Sequence, residues 1–331
     1  AKMEGTETAN VTASGMGAIT STLLQICKSG DHIVSARTIY GGTYAFMKNF
    51  LPPYQIETSF VDITDLEKVE SAIKPNTKII YCETVSNPLL EIADLRKLAE
   101  ICKKHNLKLI VDNTFSQLSV SPIMLGADVV IHSLTKFING SSDTVGGVYC
   151  ASQEFVDDTK NVNNGACMLL GPTMDSFRSA SILKNLRTLH IRMKKHSENA
   201  MFLAERFEND GLKVKYPGLK SHKNHELMKS MMHEEYGFGG LLTIDVGSVE
   251  KANELMELMQ TENLGYLAVS LGFYKTLFSC SGSSTSSEIP EDERKEMGLS
   301  DGLIRFSIGL DHDIERTYQK MRECMVKTGV L

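Results

Sequence analysis

Lys136 closes the run Ser133, Leu134, Thr135, Lys136, which follows the apolar residues Val129, Val130 and Ile131 and precedes Gly140, Asp143 and the pair Gly146 and Gly147. An amine at the polar end of a buried strand titrates down as it loses water, and so becomes a nucleophile that can form a Schiff base near neutral pH. Ser133 and Thr135 stand two apart. In an extended segment their hydroxyls share a side, where both can donate to one phosphate group. A second apolar stretch, Leu109, Ile110 and Val111, ends in Asp112. Parallel strands buried on both faces read as continuous apolar runs, and their ligands gather at the carboxyl ends. Asp112 and Lys136 are therefore expected on one edge of one sheet. Taken singly, each also reads as ordinary structure: Lys136 as a solvated lysine after a strand, Asp112 as a cap or turn residue.

A third piece lies near the start. Ser14, Gly15, Met16 and Gly17 precede a segment whose apolar positions Ile19, Leu23, Ile26 and Cys27 follow helical spacing. Glycines ahead of a helix let backbone N–H groups approach a phosphate, and the helix dipole adds to the attraction. A carboxylate that keeps a pyridinium N–H charged and a lysine that holds the aldehyde of the same ring are a protein's two main handles on pyridoxal phosphate. The three pieces together supply both handles and a phosphate cradle.

In order along the chain, Ser-Gly-Met-Gly-Ala-Ile (14–19), Tyr-Gly-Gly-Thr (40–43), Glu-Thr-Val-Ser-Asn-Pro (83–88), Val-Asp-Asn-Thr (111–114), Ser-Leu-Thr-Lys (133–136) and Arg-Phe-Ser-Ile-Gly (305–309) resemble the Cys/Met-metabolism family of pyridoxal-phosphate enzymes. The resemblance runs from about residue 1 to the C-terminus. It implies pyridoxal 5'-phosphate as cofactor, a small-molecule amino-acid substrate, and a homotetramer built from dimers with shared active sites. An N-terminal arm whose Tyr-x-Arg clamps the phosphate of the neighbouring subunit is implied ahead of Ala1.

The resemblance also distributes roles. Lys136 carries the cofactor and then moves protons at the substrate's α and β carbons, and Asp112 keeps the ring nitrogen protonated. The Gly15 and Met16 amides and the Ser133 and Thr135 hydroxyls hold the phosphate. Tyr40 stacks on the ring and can protonate a leaving thiolate, while Asn87 hydrogen-bonds the phenolic oxygen. Ser270 and Arg305 take the substrate carboxylate. Arg305 alternates with Ile304, Phe306 and Ile308, which puts it on the other side of a strand, and its planar fork suits a carboxylate. Without the family, a salt bridge to a nearby acid accounts for it equally well.

These residues need a frame. Strands over 31–36, 78–84, 107–112 and 129–133 alternate with helical patterns at Leu66, Val69 and Ile73, after a Thr64-x-x-Glu67 capping box, and at Leu95, Leu98, Ala99 and Cys102, with Lys103, Lys104 and His105 at the C-terminal end. Such alternation means a mostly parallel sheet covered by helices on both faces. The fold class expected is α/β, pyridoxal-phosphate-dependent aminotransferase-like (fold type I). Residues 1–188 form the cofactor-binding domain and 189–331 a smaller α+β C-terminal domain. The latter has strands over 240–246 and 303–308 and helices marked by Met193, Ala200, Leu203 and Phe207, by 249–259, and by Ile314, Tyr318, Met321 and Met325.

The chain has 331 residues, 42% hydrophobic and 23% charged, with a net charge of -6, so it offers no basic surface to nucleic acid or an anionic membrane. No stretch approaches the roughly 18 apolar residues of a membrane span, and the first residues lack a signal-peptide pattern. Seven scattered cysteines without Cys-x-x-Cys suit a reducing compartment, taken as the cytoplasm, and suggest no metal site.

Within the family, Val269 stands where cystathionine-cleaving members resemble one another in having a glutamate, so an uncharged thioether fits better. Gly42 stands where microbial methionine-cleaving members carry a cysteine, which points the other way. The serine-rich text over 280–288 replaces the usual Thr-His element and looks most like the plant-type methionine-cleaving members. The expected reaction is γ-elimination of L-methionine to methanethiol, 2-oxobutanoate and ammonia. The alternatives are γ-replacement on an activated homoserine and a catalytically silent interaction subunit. Intact Lys136, Asp112, Tyr40 and Arg305 oppose the last of these.

Overall fold

Continuous apolar runs become the buried strands of a seven-stranded sheet. The computed structural model describes residues 1–280 and 299–331; most of the serine-rich stretch over 280–288 lies outside the described residues. The chain divides into two compact units, Ala1–Ser86 with Glu91–Arg187, and Asn87–Leu90 with Thr188–Leu331.

The first unit contains β1 (Thr8–Thr12), α1 (Gly15–Ile26), β2 (His32–Ala36), α2 (Gly41–Ala45), β3 (Glu57–Val61), α3 (Leu66–Ser71), β4 (Thr77–Glu83), α4 (Leu95–His105), β5 (Lys108–Asp112), β6 (Val129–Ser133), β7 (Gly147–Ala151), α5 (Gln153–Thr159), α6 (Ala166–Leu170) and α7 (Ser176–Leu186). The strand order is β1-β7-β6-β5-β4-β2-β3. From β6 to β3 every pair is parallel, whereas β7 runs antiparallel to both β6 and β1. Ile33, Val34, Ile79, Ile80, Leu109, Ile110, Val111, Val130 and Ile131 are fully buried. Each such side chain contributes about 1.5–3 kcal/mol. The expected mostly parallel sheet is thus present, with an antiparallel edge that periodicity did not announce. β1, Thr-Ala-Asn-Val-Thr, holds only two apolar residues, and as an edge strand it stays half-exposed.

Two local expectations are corrected. Asp65, not Thr64, caps α3, accepting the Lys68 amide at 3.1 Å, while the Thr64 hydroxyl donates to Asp62 at 2.7 Å. A carboxylate one residue nearer the helix outcompetes the hydroxyl for the first-turn amides. Ile73 then falls beyond the helix. Thr135 and Lys136 do not continue an extended segment either: β6 stops at Ser133, and the Lys136 amide donates to the Ser133 carbonyl at 3.3 Å as the chain turns. The hydroxyls of Ser133 and Thr135 therefore do not share a strand face.

The second unit contains α8 (Leu189–Asn209), β8 (Lys213–Lys215), α9 (His225–Met231), β9 (Leu241–Asp245), α10 (Val249–Thr261), β10 (Tyr266–Leu267), β11 (Leu277–Cys280), β12 (Leu303–Ser307) and α11 (Ile314–Lys327). Its five strands are ordered β10-β11-β12-β9-β8, antiparallel except for β10 with β11. Leu203, Phe207, Met259, Ile304, Phe306 and Met321 share one core. Among the described residues no helix is long and apolar enough to cross a membrane, and no three His, Cys, Asp or Glu side chains converge as a metal site.

Candidate active site

Helix α1 begins at Gly15, with Ser14 as its N-cap; the Ser14 hydroxyl accepts the Gly17 amide at 3.0 Å. The amides of Gly15 and Met16 have no partner within the first turn, as helix geometry dictates, and none among the described residues. Gly15 lies against Ser133: a Cβ at Gly15 would come within 3.1 Å of the Ser133 Cβ and 3.2 Å of its Oγ. Free amides and a serine hydroxyl therefore border one small space. Thr135 is held by Gly146, whose amide donates to the Thr135 hydroxyl at 3.2 Å. Lys136 follows, half-buried, in the turn after β6.

Asp112 ends β5, next to β6, and is 8% exposed. Burial pushes its carboxyl up; the Thr114 hydroxyl and amide, the latter at 2.9 Å, and the charge of His132 draw it down. A cation placed on this carboxylate favours its charged form. Tyr40, half-exposed, precedes α2, and its ring lies over Gly42: a Cβ there would stand 2.6 Å from Tyr40 Cε1 and 3.4 Å from Met16 Sδ. Absence of a side chain at position 42 is what lets Tyr40 and the start of α1 come together. Sequence reading passed over Glu83, which accepts the Tyr40 amide at 2.7 Å, and Thr114, whose hydroxyl accepts the Ser133 amide at 2.8 Å. Glu83 ends an apolar strand as Asp112 does, and the two are register partners, so the same signal could have found it.

In the second unit Arg305 is 2% exposed on β12. Its Nη1 donates to Asn87 Oδ1 at 2.9 Å, and its Nη2 to the carbonyls of Ser270 at 3.0 Å and Val269 at 3.3 Å. Arg305, Asn87 and Ser270 are thus brought together, although Arg305 and Asn87 stand 218 residues apart in sequence. With its oxygen on Arg305, Asn87 has Nδ2 as its donor. Arg305 Nε is buried without a partner, and among the described residues no carboxylate pairs with this guanidinium. Burial pulls it down to about 10.

This donor set fits pyridoxal phosphate. A buried carboxylate without a directly bonded cation suits a pyridinium N–H, unpaired amides beside Ser133 suit a phosphate, and a lysine follows in the turn after the adjoining strand.

The mixed, mostly parallel sheet carrying these groups at its strand ends defines the pyridoxal-phosphate-dependent fold type I class. A putative O-acetylhomoserine (thiol)-lyase from Campylobacter jejuni, whose crystal structure contains a pyridoxyl-lysine phosphate, superposes with a TM-score of 0.91 at 30% identity, covering 98% of this chain and 84% of that one. The methionine gamma-lyase of Arabidopsis thaliana is 44% identical over 330 residues, 99% of this chain and 75% of the relative. The cystathionine gamma-lyase of Bacillus subtilis is 41% identical over 314 residues, 94% of this chain and 80% of the relative. The profile of Cys/Met metabolism PLP-dependent enzymes matches residues 1–318, and the chain belongs to that family. It is a pyridoxal-phosphate-dependent lyase.

Proposed function

We propose that the protein cleaves L-methionine by γ-elimination, consuming one water and releasing methanethiol, 2-oxobutanoate and ammonia. The observation that supports this reading most is Arg305, a buried guanidinium whose Nε is unpartnered and which has no ion pair among the described residues. An α-carboxylate supplies the missing charge and a bidentate partner. Asn87, Ser270 and the Val269 carbonyl hold the fork in place.

Bound pyridoxal phosphate supplies an electron sink for the charge left when a proton leaves the substrate's α carbon. Asp112 keeps the ring nitrogen's proton in place. The Lys136 amine holds the cofactor, then takes the α proton and moves protons at the β carbon. Tyr40, resting over Gly42, stacks on the ring and delivers a proton to the departing sulfur. The Gly15 and Met16 amides, with Ser133 and Thr135, anchor the phosphate. The first unit then acts as the cofactor domain, and the second, which takes in 87–90, as the domain that grips the substrate carboxylate.

Arg305→Leu is expected to raise KM for methionine about ten- to hundred-fold, the equivalent of a charge-assisted hydrogen bond of roughly 1.5–3 kcal/mol. Turnover of 3-methylthiopropylamine, which has no carboxylate, should hardly change. Equal losses on both would make Arg305 a structural residue.

Methionine is favoured over cystathionine because Val269, one residue from Ser270, presents an apolar, 61% exposed side chain beside the carboxylate anchor. A glutamate there leaves a carboxylate unpaired against a methyl thioether but pairs it with cystathionine's distal ammonium. Val269→Glu should therefore shift the ratio of the two kcat/KM values toward cystathionine by roughly ten- to hundred-fold. An unchanged ratio would remove Val269 from the pocket. The likeness to a putative O-acetylhomoserine (thiol)-lyase supports γ-replacement as the second reading. Faster synthesis of cystathionine from an activated homoserine than consumption of methionine would establish it.

Met168, Leu169, Leu170 and Phe177 expose apolar surface on α6 and α7, Phe177 to 88%. A patch of this kind calls for cover, which supports the homotetramer of dimers; sedimentation of the holoenzyme tests it. Among the described residues no cysteine is in a disulfide, which supports a reducing compartment such as the cytoplasm.

A further inference from the structure

Behind the proposed cofactor edge lies a buried acid that the reaction above does not use. Glu4 is 2% exposed and His132 1%. Glu4 Oε1 stands 2.7 Å from His132 Nε2 and accepts Asn113 Nδ2 at 3.1 Å. Its Oε2 accepts the Ser121 hydroxyl at 3.4 Å, and its carbonyl accepts the same hydroxyl at 3.0 Å. A carboxylate only accepts, so His132 Nε2 carries its hydrogen. His132 Nδ1 is buried without a partner among the described residues.

The sequence neighbours of these donors are what matter. Asn113 directly follows Asp112, and His132 directly precedes Ser133. The parallel register pairs Asp112 with Ile131, and alternation places His132 on the face of β6 opposite Ile131 and Ser133. One carboxylate oxygen thus ties together the ends of two adjacent strands from the side away from Ser133. Asn113 carries the tie further: its Oδ1 accepts the Thr84 hydroxyl, just past β4, at 2.8 Å, and its Nδ2 donates to the Val120 carbonyl at 2.8 Å. Thr84 and Asn113 are fully buried.

We propose that Glu4 is a positioning residue for this edge: by holding Asn113 and His132 on one carboxylate it fixes where Asp112 and Ser133 stand relative to each other. The proposal rests on the role given to Asp112 above. Two polar groups on neighbouring strands, each bonded to one charged acceptor in a site closed to water, have little freedom to shift, because a broken bond leaves a buried charge unpaired. His132 also lies near enough to Asp112 for its electrostatic influence to oppose the effect of burial there.

The test is Glu4→Gln, which keeps the shape and loses the charge, made in the full chain alone and combined with Asp112→Asn. In the holoenzyme, kcat for methionine is expected to fall roughly ten- to hundred-fold, the scale of a lost charge-assisted bond, with KM nearly unchanged. In the Asp112→Asn background the added loss should be only about two-fold, because residues acting through one another are not additive. In the cofactor-free protein, amide exchange over 111–114 and 131–134 should rise about ten-fold while β2 keeps its protection. His132→Asn, which removes the imidazole but keeps a donor, gives a second route to the same comparison if Glu4→Gln does not accumulate. Equal losses in both backgrounds, or unchanged exchange at both strand ends, would overturn the proposal. A fully active Asp112→Asn enzyme alongside raised exchange would instead remove the role of Asp112 and leave the tie between the strands standing.

Discussion

On the proposed function, Lys136→Ala is expected to abolish the visible absorbance of lysine-bound cofactor and to lower methionine turnover by about 10³- to 10⁴-fold, toward the upper limit of what a positioned proton carrier contributes. The size of the effect follows from the two roles proposed for one amine. Lys136 lies in the turn after β6, three residues past Ser133, so the element that borders the phosphate cradle also places the amine. Lys68, Lys74 and Lys104 of the first unit are exposed and paired with Asp65, Glu57 and Glu70, which leaves these three unsuited to take over. The measurement is an absorbance spectrum with added pyridoxal phosphate, followed by a keto-acid assay. A mutant that keeps the band and turns over would remove Lys136 from the mechanism.

Asp112→Ala comes next in size. Cofactor binding through Lys136 is expected to persist and turnover to fall by roughly 10²- to 10³-fold, the scale of losing one preorganised charge at a reacting centre. The physical reason is that Asp112 would hold the proton on the ring nitrogen, the charge from which the cofactor would supply its electron sink. Asp112 stands ready for a cationic partner: burial raises its carboxyl, Thr114 and His132 oppose that only in part, and a cation beside it would favour the ionised form. Turnover equal to the parent enzyme, with the same spectrum, would mean that the charge on the ring is set elsewhere.

Much of the frame of this site is legible in the chain itself. The apolar runs ending at Asp112 and Ser133 become adjacent, parallel, buried strands, and the glycines at 15 and 17 open α1. These features are local: a run of branched residues, or a serine and two glycines before helical spacing, carries its meaning within a dozen positions. The family resemblance, resting on six short motifs in order, is borne out over residues 1–318. Other features escaped because they are not local. The antiparallel strands β1 and β7 pair across 139 residues between Asn10 and Tyr149, whose side chains also bond at 3.0 Å. Thr135 looked extended by its spacing, yet the chain turns there, held by the Gly146 backbone.

The sequence by itself determined the family, and with it pyridoxal phosphate as cofactor, through motifs that are each local; it also determined a mostly parallel sheet with Asp112 at one strand end and Lys136 just past another, because burial of continuous apolar runs leaves few other places for a charge. The tertiary structure alone decided the partnerships. It put Asn87 on Arg305, taking residues 87–90 out of the first unit and into the second, and it put Glu4 on His132 and Asn113. A buried charge must find its partner wherever the folded chain brings one within hydrogen-bond distance. The separations of 218 residues for Arg305 and 128 for Glu4 carry no sign in the order of the residues that such a meeting will occur.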